Sequence, residues 1–242
     1  MDDVTPALEF VELSKRYGTT EAVRSLSLTV GAGTTFGLVG ANGAGKTTLI
    51  KCLMDFCGVD GGSIRVFGTP STRTEARRRL AFLPEQFVPP YYLTGKDFLK
   101  FMSQMYDREF DLQECTDMLA TLELDVDALT RPVRLLSKGM TQKLGLAGCL
   151  LSQRELLVLD EPATGLDPKA RVLFRKSLQS ARAASRTVFL TSHSLSDVDE
   201  TCDQIGVMHQ GGLRYAGNPA DLKQQYDATT LEHAFLKCVG EK

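Results

Sequence analysis

The sequence predicts an α/β fold, a parallel sheet covered by helices, on three observations. Thr35-Phe36-Gly37-Leu38-Val39 is a short apolar run that leads straight into a glycine-rich loop and then a helix. Leu156-Leu157-Val158-Leu159 and Thr187-Val188-Phe189-Leu190 are two further apolar runs, separated by a helical stretch over residues 168–184. That alternation is the βαβ pattern of buried parallel strands. Between the first strand and the later ones lies a block, residues 94–151, with helical periodicity and no strand signal.

The elements follow in order. Residues 8–13 and 27–30 alternate apolar and polar side chains, with Tyr17-Gly18 as a turn region between them, and are expected as strands. Residues 47–57 form a helix carrying Leu49, Ile50, Leu53 and Met54 on one face. Residues 79–84 are another strand. In the helical block, Phe98, Phe101, Met102 and Met105 make one stripe, and Cys115, Met118, Leu119 and Leu122 another; both are expected in the core. Residues 204–209 and 213–216 flank Gln210-Gly211-Gly212 as a hairpin, and residues 219–226 and 230–238 are short helices. The 242 residues therefore suit a single domain, with 1–86 and 152–242 as its core and 87–151 as an inserted helical subdomain.

A net charge of −2 argues against nucleic acid as a partner, since backbone phosphates demand clustered Lys and Arg. The local cluster Arg73, Arg77, Arg78 and Arg79 is expected to be a solvated helix face. Cys52, Cys57, Cys115, Cys149, Cys202 and Cys238 include no C-x-x-C pair, so buried, reduced thiols of a cytosolic protein are expected. Residues 1–12 are acidic and lack the apolar core of a signal peptide. The longest uncharged stretch, residues 25–45, is too rich in Gly, Thr and Ser for a membrane helix.

Gly40-Ala41-Asn42-Gly43-Ala44-Gly45-Lys46-Thr47 matches G-x-x-x-x-G-K-[ST] in full. Glycines let the backbone curl so that several N–H groups face one anion, and the partial positive charge of the helix that follows adds to the attraction. Lys46 is expected at the β- and γ-phosphates of ATP, and Thr47 at Mg²⁺. Thr48 completes the candidate nucleotide contacts. The strand at 156–159 delivers Asp160-Glu161-Pro162 at its C-terminal end, where ligands sit in open α/β sheets. Asp160 suits Mg²⁺, and Glu161 suits the general base that polarises water. Two acids after a strand can also cap a turn.

Leu136-Ser137-Lys138-Gly139-Met140-Thr141-Gln142 lies just before that strand and resembles the signature of ATP-binding cassette (ABC) ATPases, usually LSGGQ. Gly165-Leu166-Asp167 resembles the family's D-loop, His193 in Leu190-Thr191-Ser192-His193 its switch histidine, and Tyr17 in Lys15-Arg16-Tyr17-Gly18 the aromatic residue that stacks on adenine. These motifs fall in the family's order and span nearly the whole chain. The resemblance implies a P-loop NTPase fold with a RecA-like parallel-sheet core, an N-terminal antiparallel β-subdomain and an inserted α-helical subdomain. It implies γ-phosphate contacts from Ser137 and Gly139 and a further contact from Asp167, which also suits a helix N-cap before Pro168. Lys138 and Met140 depart from the family pattern. In Leu83-Pro84-Glu85-Gln86, both Glu85 and Gln86 stand as candidates for the Q-loop ligand of Mg²⁺.

The resemblance further implies a head-to-tail dimer of ATPase subunits, expected as a homodimer, that clamps ATP. It implies a separate transmembrane permease subunit energised by hydrolysis, with this chain peripheral on the cytoplasmic face. The variant signature, the Leu-Pro-Glu Q-loop and the tail Thr230-Leu231-Glu232-His233-Ala234-Phe235-Leu236 resemble the ABC-2 type export group. Val88-Pro89-Pro90-Tyr91-Tyr92-Leu93 follows the Q-loop as a stiff, amphipathic contact surface. The alternatives are a non-transport ABC ATPase, which calls for a coiled-coil insertion or a second cassette, and an ATP-gated interaction module, against which Glu161 speaks.

Overall fold

The computed structural model describes residues 5–240; residues 1–4, part of the stretch read for a signal peptide, and residues 241–242 lie outside it. Two sheets organise the chain. Strands β1 (Leu8–Tyr17), β2 (Thr20–Val30), β4 (Gly61–Val66) and β5 (Thr69–Pro70) form an antiparallel sheet in the order β2-β1-β4-β5. Strands β3 (Thr35–Val39), β6 (Leu80–Leu83), β7 (Leu156–Leu159), β8 (Thr187–Ser192), β9 (Gln204–His209) and β10 (Gly212–Gly217) form the main sheet in the order β10-β9-β3-β8-β7-β6. Its pairings are parallel except that of β10 with β9.

The main sheet is buried on both faces, which is why its strands read as unbroken apolar runs. Side chains alternate between two cores along each strand. Leu157 and Leu159 of β7 and Val188 and Leu190 of β8 face one core; Leu156, Val158 and Phe189 face the other. The second core is shared with the antiparallel sheet, through Phe10, Leu13 and Val23, and with helix α1 (Lys46–Leu53). Phe189 stacks on Phe36 at 5.7 Å and tilts against Phe10 at 6.2 Å, tying the two sheets together.

The first core carries the remaining long helices. After the short α2 (Thr74–Arg77), α3 (Gly95–Met105) opens on a capping box between Thr94 and Asp97, and α4 (Leu112–Thr121) is capped by Asp111. Two short 3₁₀ turns, Val126–Leu129 and Val133–Leu135, lead to α5 (Lys138–Leu151). Helix α5 lies close to its neighbours because of two glycines. A Cβ at Gly145 would come within 2.8 Å of Leu83 and Phe87, and one at Gly148 within 3.4 Å of Phe98 and Met102. Then come α6 (Pro168–Ala183), α7 (Leu195–Thr201), α8 (Pro219–Gln225) and α9 (Leu231–Val239).

Three expectations need correction. The helix after the glycine loop stops at Leu53 rather than residue 57, because Asp55 takes a left-handed conformation (φ 61°) and turns the chain. The apolar stripe of α3 splits: Phe98 is buried, but Phe101 is 46% and Met105 62% exposed. Periodicity identifies a face, not what covers it. Nor are all the clustered arginines free in solvent. Arg77 bonds Asp55 and the Ser71 carbonyl, while Arg79 forms a two-pronged pair with Glu155 at 2.7 and 2.5 Å and lies 3.9 Å over the Phe67 ring.

The C-terminal carbonyls of α5, which have no intrahelical partner, are taken up by arginines. Arg186 donates to Leu150 O (2.8 Å) and Cys149 O (3.2 Å), and with its Nε to Arg154 O (2.8 Å); Arg108 donates to Leu151 O. This fastens the end of α5 to the approach of β8. Arg186→Ala strands several part-buried carbonyls, so the variant is expected to unfold in urea with about 2–3 kcal/mol less stability. Arg186→Lys should recover only part of that loss, because an ammonium lacks the planar fork.

Candidate active site

The site forms where β3, β7 and β8 end side by side. Beyond Val39 the chain enters the glycine loop. A Cβ at Gly40 would collide with the carbonyl of Met208 on β9. Gly45, at φ 108°, has the Ala22 carbonyl where a Cβ would lie. Both positions demand glycine on space, and Gly45 on backbone as well. Gly45 is also the N-cap of α1, so no side chain satisfies the first-turn N–H groups and no acid lies in that turn. Such an end attracts an anion.

Lys46, only 7% exposed, turns back into the site. Its Nζ donates to Gly40 O at 2.6 Å and lies 3.6 Å from Glu161 Oε1. Glu161 follows β7 in a left-handed conformation (φ 49°), which costs an L-residue about 1–2 kcal/mol. It is held there on two sides. Its N–H donates to Thr191 Oγ1 at 2.9 Å, and its Oε2 lies 2.6 Å from His193 Nδ1 and accepts the His193 N–H at 3.3 Å. Facing an ionised carboxylate, Nδ1 carries a proton and donates it to Oε2. Strain held by surrounding bonds marks functional positions.

Asp160 lies beneath, 3% exposed, and accepts from Thr191 Oγ1 at 2.6 Å. Burial raises its pKa above the ordinary 3.8; the Thr191 and Thr47 hydroxyls oppose that rise, and the charges of Glu85 and Glu161 add to it. Thr191 is a residue that sequence reasoning quoted but gave no role. Fully buried, it joins the Asp160 carboxylate to the Glu161 backbone. The signal was partial: a buried hydroxyl needs a partner, but β8 carries Thr187 and Ser192 as well as Thr191.

A cavity of about 830 Å³ opens over these groups. Ala41, Asn42, Gly43, Ala44, Gly45, Lys46, Thr47 and Thr48 form its floor, with Glu85, Glu161, Thr164 and His193 on one side and Thr20, Glu21, Ala22, Arg24 and Gln210 on the other. Of the two Q-loop candidates, Glu85 lines this cavity and Gln86 does not. Tyr17 stands outside its wall, 49% exposed, with its hydroxyl donating to Cys57 Sγ at 3.5 Å. Ser137, Gly139 and Asp167 are elsewhere, around a separate cleft of about 110 Å³ shared with Met140, Lys143 and Gly165. Ser137 caps α5 through Met140 N–H and Asp167 caps α6 through Ala170 N–H, the bond that holds the Asp167 pKa low.

The Thr47 hydroxyl and the Asp160 carboxylate are hard oxygen donors of the kind Mg²⁺ takes. Among the described residues no group of three or more His, Cys, Asp or Glu side chains converges to hold a metal unaided. That suits Mg²⁺, which is held by one or two carboxylates together with substrate phosphates.

The model of the ABC transporter family matches residues 23–164. The chain belongs to the ABC transporter family. It is 38% identical over 204 residues to an uncharacterised ABC transporter ATP-binding protein of Nostoc sp., covering 83% of this chain and 61% of that one. It is 37% identical over 236 residues to the Nod factor export ATP-binding protein I of Sinorhizobium fredii, covering 93% and 67%. The chain thus spans about two thirds of the length of these relatives. Among solved structures, an ATP-binding subunit of an ABC transporter superposes with a TM-score of 0.86 at 26% identity, covering 96% of this chain and 99% of that one. A dimeric bacterial ABC transporter cassette superposes with a TM-score of 0.80 at 17% identity, covering 87% and 98%, and shares the fold. The expected α/β class is therefore the one observed, and family membership implies nucleotide binding.

The buried Asp160 of this ABC chain has a testable consequence. With its folded pKa raised, its ionised form destabilises the folded state at neutral and higher pH. That penalty fades as pH falls from the raised value toward 3.8. Asp160→Asn keeps an acceptor for Thr191 and removes the charge. In thermal unfolding it should melt about 2–4 °C above the parent at pH 8, with the gap closing toward pH 4.

Proposed function

We propose that this chain is the ATP-binding and ATP-hydrolysing subunit of an ABC transporter, energising a separate transmembrane subunit for export. The observation that carries the hydrolytic part is the cluster Lys46–Glu161–His193 at the mouth of the glycine loop. An ammonium, a carboxylate and an imidazole meet beside an uncapped helix N-terminus, which is what phosphoryl transfer to water needs.

Without phosphates, Lys46 is spent on Gly40 O and Glu161. The β- and γ-phosphates of ATP compete for that ammonium. Once it turns to them, the Glu161 carboxylate is released from that contact and is free to accept from a water. Glu161 then takes a proton from the attacking water, while His193 Nδ1–H keeps the carboxylate aimed and Nε2 faces the departing phosphate. Mg²⁺, held by Thr47, Asp160 and Glu85, would neutralise phosphate charge. Tyr17 stacks on adenine after its side chain turns inward.

Ser137, Gly139 and Asp167 belong to a different cleft from the glycine loop, which supports a head-to-tail homodimer in which each chain completes the other's site. Val88, Tyr91 and Tyr92 are exposed, and a separate groove of about 490 Å³ is lined by Met54, Phe82, Phe101, Met102 and Met105 together with Arg77, Arg78, Arg154 and Asp107. An apolar helix end bearing an acid, from the transmembrane subunit, suits it. Among the described residues no helix is long and apolar enough to cross a membrane. The cytoplasmic face is where ATP is available. The relatives named for Nod factor export support the outward direction.

Glu161→Gln is expected to bind ATP with unchanged affinity, lose steady-state turnover by at least about a hundredfold, and accumulate as an ATP-bound dimer in size-exclusion chromatography. Undiminished turnover would sink the base assignment. Phe101→Asp places a charge in the groove while leaving the glycine loop alone. It should abolish co-purification of an integral membrane protein and keep basal ATP hydrolysis; co-purification of only soluble partners with the parent chain would favour a non-transport ABC ATPase.

A further inference from the structure

The turn that ends α1 brings two thiols together. Asp55 reverses the chain, and Cys57 returns over the last turn of the helix, with its Sγ 3.6 Å from Cys52 Sγ. Cys52 is buried and Cys57 partly exposed. Tyr17 donates its hydroxyl to Cys57 Sγ at 3.5 Å, and Lys15 Nζ lies 5.4 Å over the Tyr17 ring. The six cysteines, expected as buried, reduced thiols, are all free, but Cys57 and Cys238 are only partly buried. Two thiols in van der Waals contact, one reachable from solvent, can exchange two electrons without moving the backbone far, since a disulfide needs its sulfurs at about 2.05 Å.

We infer that Cys52 and Cys57 form a reversible dithiol oxidation site whose substrates are small hydroperoxides. Burial, then the bond to Cys57, pushes the Cys52 thiol up to about 12, so it rests protonated, and the more accessible Cys57 meets the oxidant first. The Cys57 sulfur, as thiolate, attacks a peroxide oxygen. The O–O bond breaks, the alcohol (water in the case of hydrogen peroxide) leaves with the thiol proton, and Cys57 becomes a sulfenic acid. Cys52 sulfur attacks Cys57 sulfur, the S–O bond breaks, the S–S bond forms, and the Cys52 proton departs with the hydroxide as water. Two thiols lose two electrons and the peroxide gains them. A thiol reductant reverses the step by exchange.

The link also draws Cys57 away from Tyr17. The bond to Cys57 is the leading cause that pushes the Tyr17 phenol up to about 12, so oxidation returns it toward 10. This inference stands on the thiol geometry alone. It does not depend on the role proposed for Tyr17.

The test uses the full chain, reduced and then treated with a small excess of hydrogen peroxide, quenched with an alkylating reagent and mapped by mass spectrometry. A peptide linked between Cys52 and Cys57 is expected, two hydrogens lighter, cleaved by dithiothreitol and absent in Cys57→Ser, with Cys115, Cys149 and Cys202 untouched. Full alkylation of both Cys52 and Cys57 after treatment would overturn the site, as would sulfinic acid at Cys57 with Cys52 still free. Phenolate titration of the parent minus Tyr17→Phe should show the component near 12 move down on oxidation. A linked peptide without that movement would overturn the coupling to Tyr17.

Discussion

The site depends on where one buried ammonium finds its partners. A buried ammonium needs oxygens around it, and those of Lys46 are the Gly40 carbonyl, the Ala41 carbonyl at 3.5 Å and the Glu161 carboxylate. Gly40 is the residue after β3, and Glu161 is the second residue after β7. Strand β8 lies between them, with Val39 paired to Ser192 and Leu159 to Leu190. The parallel register therefore sets the spacing of the reacting groups. Any slip of β7 by one residue would turn Asp160 and Glu161 to opposite sides of the sheet and leave Lys46 unpaired. The fold is built to hold that lysine, and the chemistry proposed for it consists in giving it a better partner.

The connection between the two clefts is equally direct. Helix α5 begins at the Ser137 cap, runs 14 residues, about 21 Å, and stops where Arg186 and Arg108 hold its last carbonyls. Strand β7 starts at Leu156 and delivers Asp160 and Glu161. One rigid helix and one short strand thus join the Ser137 cleft to the Lys46 cavity within 25 residues of sequence. A displacement of the Ser137 end is carried to the approach of β7 through the arginine fastening, because α5 is packed too closely at Gly145 and Gly148 to bend independently.

Much of this was legible in the sequence, and the exceptions have a common cause. The glycine loop, the strand carrying Asp160 and the hairpin at Gln210-Gly211 are coded locally, by residues that admit few other conformations. The loop from Tyr17, the covering of Phe101 and Met105, and the meeting of Cys52 with Cys57 are set by contacts distant in sequence or by a left-handed aspartate that no strong local signal announces. Thr191 lies between. Its buried hydroxyl, one of three in β8, called for a partner, but only the register with β7 named Asp160 as that partner.

The two helix N-termini of the proposed composite site differ in a way that orders binding. At α1 the cap is a glycine, and the first-turn N–H groups have no side-chain acceptor. At α5 the Ser137 hydroxyl already accepts from Met140 N–H at 3.2 Å. An anion therefore gains most at α1, where it satisfies donors that otherwise face only water, and must share with an existing cap at α5. Phosphates accordingly settle first on the glycine loop and draw Lys46 from Glu161. The second chain's α5 then adds what the dipole and remaining N–H groups supply. In the proposed dimer, nucleotide capture would precede closure for a reason already present in the two caps: one is empty by composition, the other filled by its own serine.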